Sequence, residues 1–238
     1  MAFPQVAAVN GGNNTTNSTE HTVNLPSGIQ AGDLLLVFFA SDVAPTIAFP
    51  EGWTQLFQTS WASLVNFGAW YRVADGNEGA TITVTTSSEE MTAHTSYRIT
   101  GYIGVPEVGT AATGSTITPD PPSLSPSWGA QDTLWLAACA NDRERFVATY
   151  PDDYTDGLND LTSGKVEGCG VGTARRERNT ATENPGAFTI SVKDECVANT
   201  VAIQPGVAGW TGKAMGVTNP AKVMGVDVAN IAKVHGVA

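Results

Sequence analysis

The sequence predicts an all-β chain, an antiparallel β-sandwich of jelly-roll or Greek-key type, and three observations lead there. Strand-like segments recur about every 10–15 residues between Gly, Pro, Asn and Asp clusters, and no eleven-residue window carries a 3.6-residue amphipathic pattern. Charged residues make up only 15%, against roughly 25% in an ordinary globular chain. Thr, Ser, Asn and Gly must then supply much of the surface, which suits strands and turns. Finally, the stretch from Asp33 to Ile99 recurs, loosely but in the same order, from Asp132 to Ile203.

Five landmarks carry that repeat. Asp33 opens the apolar run Leu34–Phe39, and Asp132 opens Thr133–Ala138. Pro50-Glu51-Gly52-Trp53-Thr54 answers Pro151-Asp152-Asp153-Tyr154-Thr155, and Gly68–Arg72 answers Gly172–Arg176. Gly79–Thr83 answers Gly186–Ile190, and Thr95–Ile99 answers Asn199–Ile203. The offsets are 99, 101, 104, 107 and 104, a drift that loop-length changes produce. Two related half-units, about 21–105 and 127–207, are thus expected within one sandwich spanning residues 1–207.

In chain order, strands are expected at Gln5–Val9, His21–Leu25, Asp33–Ala40, Thr54–Ser60, Asn66–Val73, Ala80–Thr86 and Thr92–Ile99 in the first half. The second half gives Thr133–Ala140, Arg145–Tyr150, Val166–Ala174, Ala187–Val192 and Asn199–Gln204. Ala80–Thr85 alternates with period two, as a half-buried strand does. Leu34–Phe39 and Leu134–Ala138 are continuous apolar runs, as in central strands covered on both faces. Asn10–Thr19 reads as a polar, flexible loop, and the proline-rich Gly109–Pro126 as the connector between halves.

Residues 208–238 form a different, β-rich tail. Lys213-Ala214-Met215-Gly216-Val217 is echoed by Lys222-Val223-Met224-Gly225-Val226 and Lys233-Val234-His235-Gly236-Val237. Three lysines against Asp227 give it a balance of +2, which leaves −13 on the remainder of a chain whose net charge is −11. So short an apolar repeat cannot bury itself. Val217, Val223, Met224, Val226, Val228, Ile231, Val234 and Val237 are therefore the candidate contacts with a partner chain. A homo-oligomer is expected, with a trimer favoured.

The acidic balance, with pI about 4.5, argues against a nucleic-acid partner, because phosphate needs clustered Lys and Arg. Arg175-Arg176-Glu177-Arg178, diluted by its own glutamate, reads as a solvated strand end. No basic-plus-apolar leader is visible at Met1-Ala2-Phe3-Pro4, and the longest apolar run, Leu34–Ala40, is too short to span a bilayer. Cys139 reads as a core residue, and a Cys169–Cys196 bridge is allowed but not required.

Chemistry-bearing constellations are sparse. His21, His94 and His235 are scattered, and His235 stands where Met215 and Met224 stand in the sister repeats. Nucleophile elbows, phosphate loops and dinucleotide fingerprints do not occur. Asp75-Gly76-Asn77-Glu78-Gly79 is turn chemistry. Asp152, Asp153, Asp156 and Asp160 form the densest acidic patch and could hold Ca²⁺ with backbone oxygens, although their spacing fits no EF-hand. Glu51, Glu89 and Glu90 are the carboxylates a polysaccharide hydrolase would need, with nothing in the spacing to pair them across a cleft. Trp53 and Trp70 have counterparts in Tyr154 and Ala174 and read as core. Trp61 has none, lies in a Ser-rich region, and is the candidate for an exposed, glycan-stacking contact.

Pro26–Leu36, Pro50–Thr54 and Tyr71-Arg72-Val73-Ala74-Asp75-Gly76 together resemble a module of tailed-bacteriophage and prophage structural proteins. Ile231-Ala232-Lys233-Val234-His235-Gly236-Val237 resembles the Ile-x-Lys-Val-x-Gly-Val endings of phage virion proteins. The resemblance covers roughly residues 5–205 and 211–238. It implies a non-enzymatic virion component made in the bacterial host cytoplasm, either a capsid-decoration or head-fibre protein or a tail-associated fibre protein. Its partners would be itself and other virion proteins, without membrane or cofactor. A carbohydrate-binding adhesin is the rival class, and a polysaccharide hydrolase the third.

Overall fold

A computed structural model describes residues 2–162 and 167–206, together with the backbone pairing of four short tail segments. The described residues form strands and turns, with no helix long and apolar enough to cross a membrane. The first half builds one antiparallel sheet from β1 (Gln5–Asn24), β2 (Leu34–Asp42), β3 (Ile47–Ala48), β4 (Thr54–Trp61), β5 (Val65–Val73) and β6 (Thr81–Thr100). Their order is β1-β6-β2-β5-β4, with β3 also on β6. The second half supplies β7 (Glu107–Val108), β8 (Ala112–Thr116), β9 (Gln131–Asp142), β10 (Val147–Thr149), β11 (Thr155–Leu161), β12 (Cys169–Thr180), β13 (Thr189–Ile190) and β14 (Asp194–Ile203). There the order is β11-β12-β9-β14, with β7 and β8 along the outer edge of β14 and β10 paired to β13. Each sheet is drawn from one continuous half of the chain, a connectivity that the jelly-roll or Greek-key label does not capture.

The two sheets repeat each other strand for strand, with β2, β4, β5 and β6 answering β9, β11, β12 and β14. Ladder register fixes the residue equivalence. Leu34 pairs with Ile99 as Leu134 pairs with Ile203, and Asp42 pairs with Val65 as Asp142 pairs with Cys169. The offset is thus 100 along β2/β9 and 104 along β5/β12 and β6/β14. Along β4/β11 it is 101, because Thr54 pairs with Tyr71 as Thr155 pairs with Arg175. This corrects two landmarks. An offset of 99 would turn every β9 side chain to the wrong face. Gly79 against Gly186 slips by three, since Ile47 pairs with Thr86 as Val147 pairs with Ile190. Contacts between the sheets come in matched pairs: β6 lies over β12 as β14 lies over β5, and β2 over β12 as β9 over β5. A pseudo-two-fold axis through the sandwich produces that pattern.

Both central strands are apolar on both faces, and the structure shows why. Leu34, Leu36, Phe38 and Ala40 meet Leu134, Leu136, Ala138 and Ala140 in a core shared between the sheets. Leu35, Val37 and Phe39 point the other way, under Phe49, Trp53 and Trp70. Phe49 stacks on Trp70 with ring centroids 4.4 Å apart. On the second sheet Trp135, Ala137 and Cys139 lie under Tyr154, Phe188 and Ile190. Each fully buried Leu or Phe contributes roughly 1.5–3 kcal/mol before ordering costs.

Several boundaries differ from expectation. Asn10–Thr19 is not a loop: β1 is one 20-residue strand joining both predicted segments. It is an edge strand whose backbone is satisfied by β6, so side-chain polarity does not stop it. Likewise β6 fuses two predicted strands. The presumed connector contributes β7 and β8, so the second sheet begins at Glu107, ahead of the expected 127. Polar β11 was hidden by its acidic residues. Cys139, Cys169 and Cys196 are free and buried. Cys169 lies in the shared core and Cys196 in the outer cluster of sheet 2, so they face apart.

The arginine run is a ladder of ion pairs on β12. Arg175 meets Asp156 at 2.7 Å, Arg176 meets Asp153 at 3.0 Å and Glu183 at 3.1 Å, and Arg178 meets Glu183 at 3.0 Å. Glu183 is fully buried. The equivalent of Arg176 in the first half is Arg72, which donates to Glu51 O and pairs with Asp75 and Glu78. Each arginine clamps the turn that precedes β4 or β11. That turn needs a left-handed residue at its third position, supplied by Gly52 (φ 87°) and Asp153 (φ 64°). The Pro-Glu-Gly-Trp and Tyr-Arg motifs are therefore parts of one structural device.

Candidate functional site

The sandwich has two distinct poles. Chain termini of the described body gather at one: Gln5 pairs with Thr100, Tyr102 with Pro205, and Gly206 N–H donates to Gly101 O at 2.7 Å. The other pole lies where β2 and β9 end, at Asp42 and Asp142. Eight residues of β9 separate Leu134, near the tail, from Asp142, about 26 Å at 3.3 Å per residue.

At this far pole the equivalent positions of the two halves converge. Val43 (φ 50°) and Arg143 (φ 58°) adopt the same left-handed turn, and Val43 N–H to Leu64 O is matched by Arg143 N–H to Gly168 O. Asp42 and Asp142, the equivalent central-strand ends, open a cleft of about 400 Å³ that is also lined by Asn17, Leu64, Glu89, Glu90 and Glu167. Burial raises the carboxyl pKa of Asp42 and Glu90, and pushes Asp142 up to about 6. Like charge from Glu167 adds to the rise at Asp42. Beside the cleft, carboxylate oxygens of Asp142, Asp194 and Glu195 lie within 4.8 Å of one another. Asp194 is held by Arg143 at 3.0 Å and Arg145 at 2.6 Å, so cationic charge is already present in that cluster. Its equivalent in the first half is Glu90.

Trp61 stands at this pole. It ends β4, and with Ala62 (φ 52°) and Ser63 (φ 57°) it forms the tight turn into β5. Its exposure is 40%, and Val43 and Leu64 beside it are 36% and 37% exposed. Phe146 (54%) and Val192 (50%) stand out from the second half, joined by the bond from Ser191 N–H to Phe146 O. Carboxylates and exposed apolar groups therefore share one surface.

Other predicted residues do not assemble. Asp153 and Asp156 pair with arginines, and Asp160 accepts a bond from Thr95 Oγ1 at 2.8 Å across the sheets. Asp152 is exposed on its turn. These four aspartates do not converge on a point where a cation would sit. Glu51 lies at the tail pole, remote from Glu89 and Glu90. Glu78 caps the N–H groups of Asp75 and Gly76, which uses its carboxylate within the turn. His21, on β1, and His94, on β6, are each buried. In the tail, Lys213–Ala214 pairs with Val217–Thr218 and Lys222–Val223 with Val226–Asp227, two hairpins that include Val217, Val223 and Val226. Met224, Val228, Ile231, Val234 and Val237 lie outside the described residues.

Sequence reasoning missed Asp42, Asp142, Asp194 and the arginines around them. The repeat could have found them, since correct offsets align Asp42 with Asp142 and Glu90 with Asp194. Comparison with protein-family models, curated proteins and solved structures gives no match.

Proposed function

We propose that this protein is a non-enzymatic structural component of a bacteriophage virion, a capsid-decoration, head-fibre or tail-associated fibre protein. In this reading it is held to the particle or to its own copies through residues 208–238. The observation that carries the reading is polarity. The chain departs toward the tail at one pole, while the exposed aromatic and carboxylate surface lies about 26 Å away at the other. An anchored module needs this arrangement to present a free face. The virion assignment itself rests on the likeness of the module and tail sequences to phage structural proteins.

The ion pairs of the Asp142–Asp194–Glu195 cluster support a structural role for that cluster. Glycoside hydrolysis uses two carboxyls roughly 5–9.5 Å apart with substrate between them. Here Asp142, Asp194 and Glu195 crowd within 4.8 Å, and two arginines occupy Asp194. A carbohydrate-binding role is the second reading, favoured by Trp61 at 40% exposure on the outward pole. The two readings are compatible in one virion protein.

The test uses purified particles. A chain ending at Gly212 should stay folded and monomeric but be absent from virions, whereas full-length protein is counted there at fixed stoichiometry by mass spectrometry, with multiples of three expected. A truncated chain that still decorates particles would refute tail anchoring. Saturable binding of host surface glycan that Trp61→Ala abolishes would establish the second reading.

A further inference from the structure

Gly11 has no side chain because the opposite sheet leaves no room for one. A Cβ there would overlap the Asp160 carboxylate, which accepts a bond from Thr95 Oγ1 across the sheets. The residue before it is asparagine, and Asn10-Gly11 is the one Asn-Gly pair in the sequence. Such a pair is chemically labile at neutral and alkaline pH, since glycine leaves its amide nitrogen unshielded from the asparagine side chain. Asn10 is exposed, so water reaches it.

Local geometry brings the two reacting groups together. Gly11 N–H donates to Asn10 Oδ1 at 2.9 Å, and Gly11 O accepts from Asn24 Nδ2 at 2.9 Å. Both backbone groups of Gly11 are thus bonded to side chains and face away from β6, as those of every second residue on an edge strand do. Since a C=O bond is about 1.2 Å long, the Gly11 nitrogen lies at most about 4 Å from Asn10 Cγ, a small rotation from a near-attack contact of about 3–3.5 Å. The Asp-Gly pairs are held differently. Asp75 and Asp156 are ion-paired with Arg72 and Arg175, and an ionised carboxylate is a poor electrophile. The Asn10 amide also holds structure. Its Nδ2 donates to Leu25 O at 3.0 Å, and the adjoining Asn24 donates its N–H to His94 Nε2 at 2.9 Å and accepts from Ser96 Oγ at 2.7 Å. Asn10 therefore fastens the corner where Val23 and Leu25 cover the outer face of sheet 1.

We propose that Asn10 is a self-modification site, whose slow deamidation releases the Asn24–Leu25 corner as the protein ages. The Gly11 nitrogen gives up its proton and bonds to Asn10 Cγ. The Cγ–Nδ2 bond breaks, and the departing amide group takes that proton and leaves as ammonia. Water then opens the cyclic imide at either carbonyl, giving aspartate or isoaspartate at position 10. Either product sets a carboxylate, which has no N–H to donate, against Leu25 O and adds one negative charge. Isoaspartate also lengthens the main chain by one carbon, which disturbs the ladder of Gln5–Val9 on β6. The site stands apart from the proposed virion role and is testable without particles.

Full-length protein is incubated at mildly alkaline pH, folded or in urea, and digested for mass spectrometry, with an unincubated sample as the baseline. Fragment spectra should place a gain of one dalton at Asn10 ahead of Asn13, Asn14 and Asn17, and isoaspartyl methyltransferase should label the same peptide. Asn10→Gln should abolish both signals. The folded protein should convert Asn10 within about ten-fold of the rate in urea, because the strand holds the nitrogen near Cγ. Slower conversion than that would overturn the proposal, since the strand would then protect the pair. A gain spread equally over the four asparagines would overturn it too. Asn10→Asp supplies one product without ageing: the Asn24 and Leu25 amides should exchange about ten-fold faster than in the parent, and equal rates would refute the release.

Discussion

Acid should loosen the outer face of sheet 1, and the His94→Gln variant isolates the size of one contribution. His94 is 1% exposed on β6, opposite Gly12, and its Nε2 accepts the backbone N–H of Asn24 at 2.9 Å. Protonation would destroy that bond, and burial holds the ring pKa down at about 4 from 6.5. Between those values the folded chain binds fewer protons than the unfolded one. The stability due to neutral His94 is therefore fully present above pH 6.5 and is lost as pH falls toward 4. Over the interval from pH 7 to 5 that loss works out at about 2 kcal/mol. His21, also lowered to about 4 by burial, acts in the same direction. Asp142, raised to about 6, acts oppositely, because the folded state takes up its proton first as pH falls. A glutamine at position 94 keeps an acceptor for Asn24 but cannot titrate. The variant should be about 1 kcal/mol less stable at pH 7, and its loss between pH 7 and 5 should be about 2 kcal/mol smaller than that of the parent. Urea unfolding followed by tryptophan fluorescence at pH 7, 6 and 5 measures both quantities. The other titrating groups cancel in the comparison. Equal losses in variant and parent would refute the assignment of a neutral, bond-accepting His94.

Gly11→Ala should destabilise the protein by about 1–3 kcal/mol, because a Cβ there would overlap the Asp160 carboxylate that holds Thr95 across the sheets. Urea unfolding of Gly11→Ala with and without Asp160→Ala checks this, and the double variant should lose less than the sum. Glu183→Gln should cost about 1–3 kcal/mol, since it weakens the charge-assisted bonds that the partly exposed Arg176 and Arg178 make to it. Thermal unfolding should show a lowered midpoint. Cys139, Cys169 and Cys196 should resist a thiol reagent at pH 8 until the chain unfolds, because all three are buried and burial pushes even the Cys196 thiol up to about 12. Labelling of one thiol in the native state would contradict that burial.

The all-β class and the repeat were legible because their signals are local: turn residues, apolar runs and matched landmarks. Both central strands were found for that reason, since Leu34–Phe39 and Leu134–Ala138 must be covered on both faces wherever they sit. Edge strands were harder to read. Asn10–Thr19 and Thr155–Leu161 are too polar to declare themselves, yet a ladder partner satisfies their backbone whatever their side chains are. Register was half legible. Loop insertions hide the parity of an offset, and parity decides which face a side chain takes. The far-pole cleft was invisible because Asp42, Glu90, Asp142 and Asp194 are dispersed in sequence and meet only through the pseudo-two-fold axis. The exposure of Trp61 was legible by the opposite reasoning, as a large aromatic that the repeat does not explain.

Divergence between the halves says which side of the far pole is free to work. Equivalent positions keep their acids: Asp42 with Asp142, and Glu90 with Asp194. Cations are not kept, for Arg143 and Arg145 of the second half stand where the first half has Val43 and Pro45. In the second half Asp194 is consequently tied into two short ion pairs, a constraint that fixes the loop between β9 and β10. In the first half no arginine stands at the equivalent positions, and burial raises the carboxyls of Asp42 and Glu90, as it raises that of Asp142. The exposed Trp61, Val43 and Leu64 cluster on that same half. Duplication supplied one frame twice; one copy spends its polar end on holding the structure. The other carries the exposed Trp61, Val43 and Leu64 beside the carboxylate cleft, with no arginine at the equivalent positions.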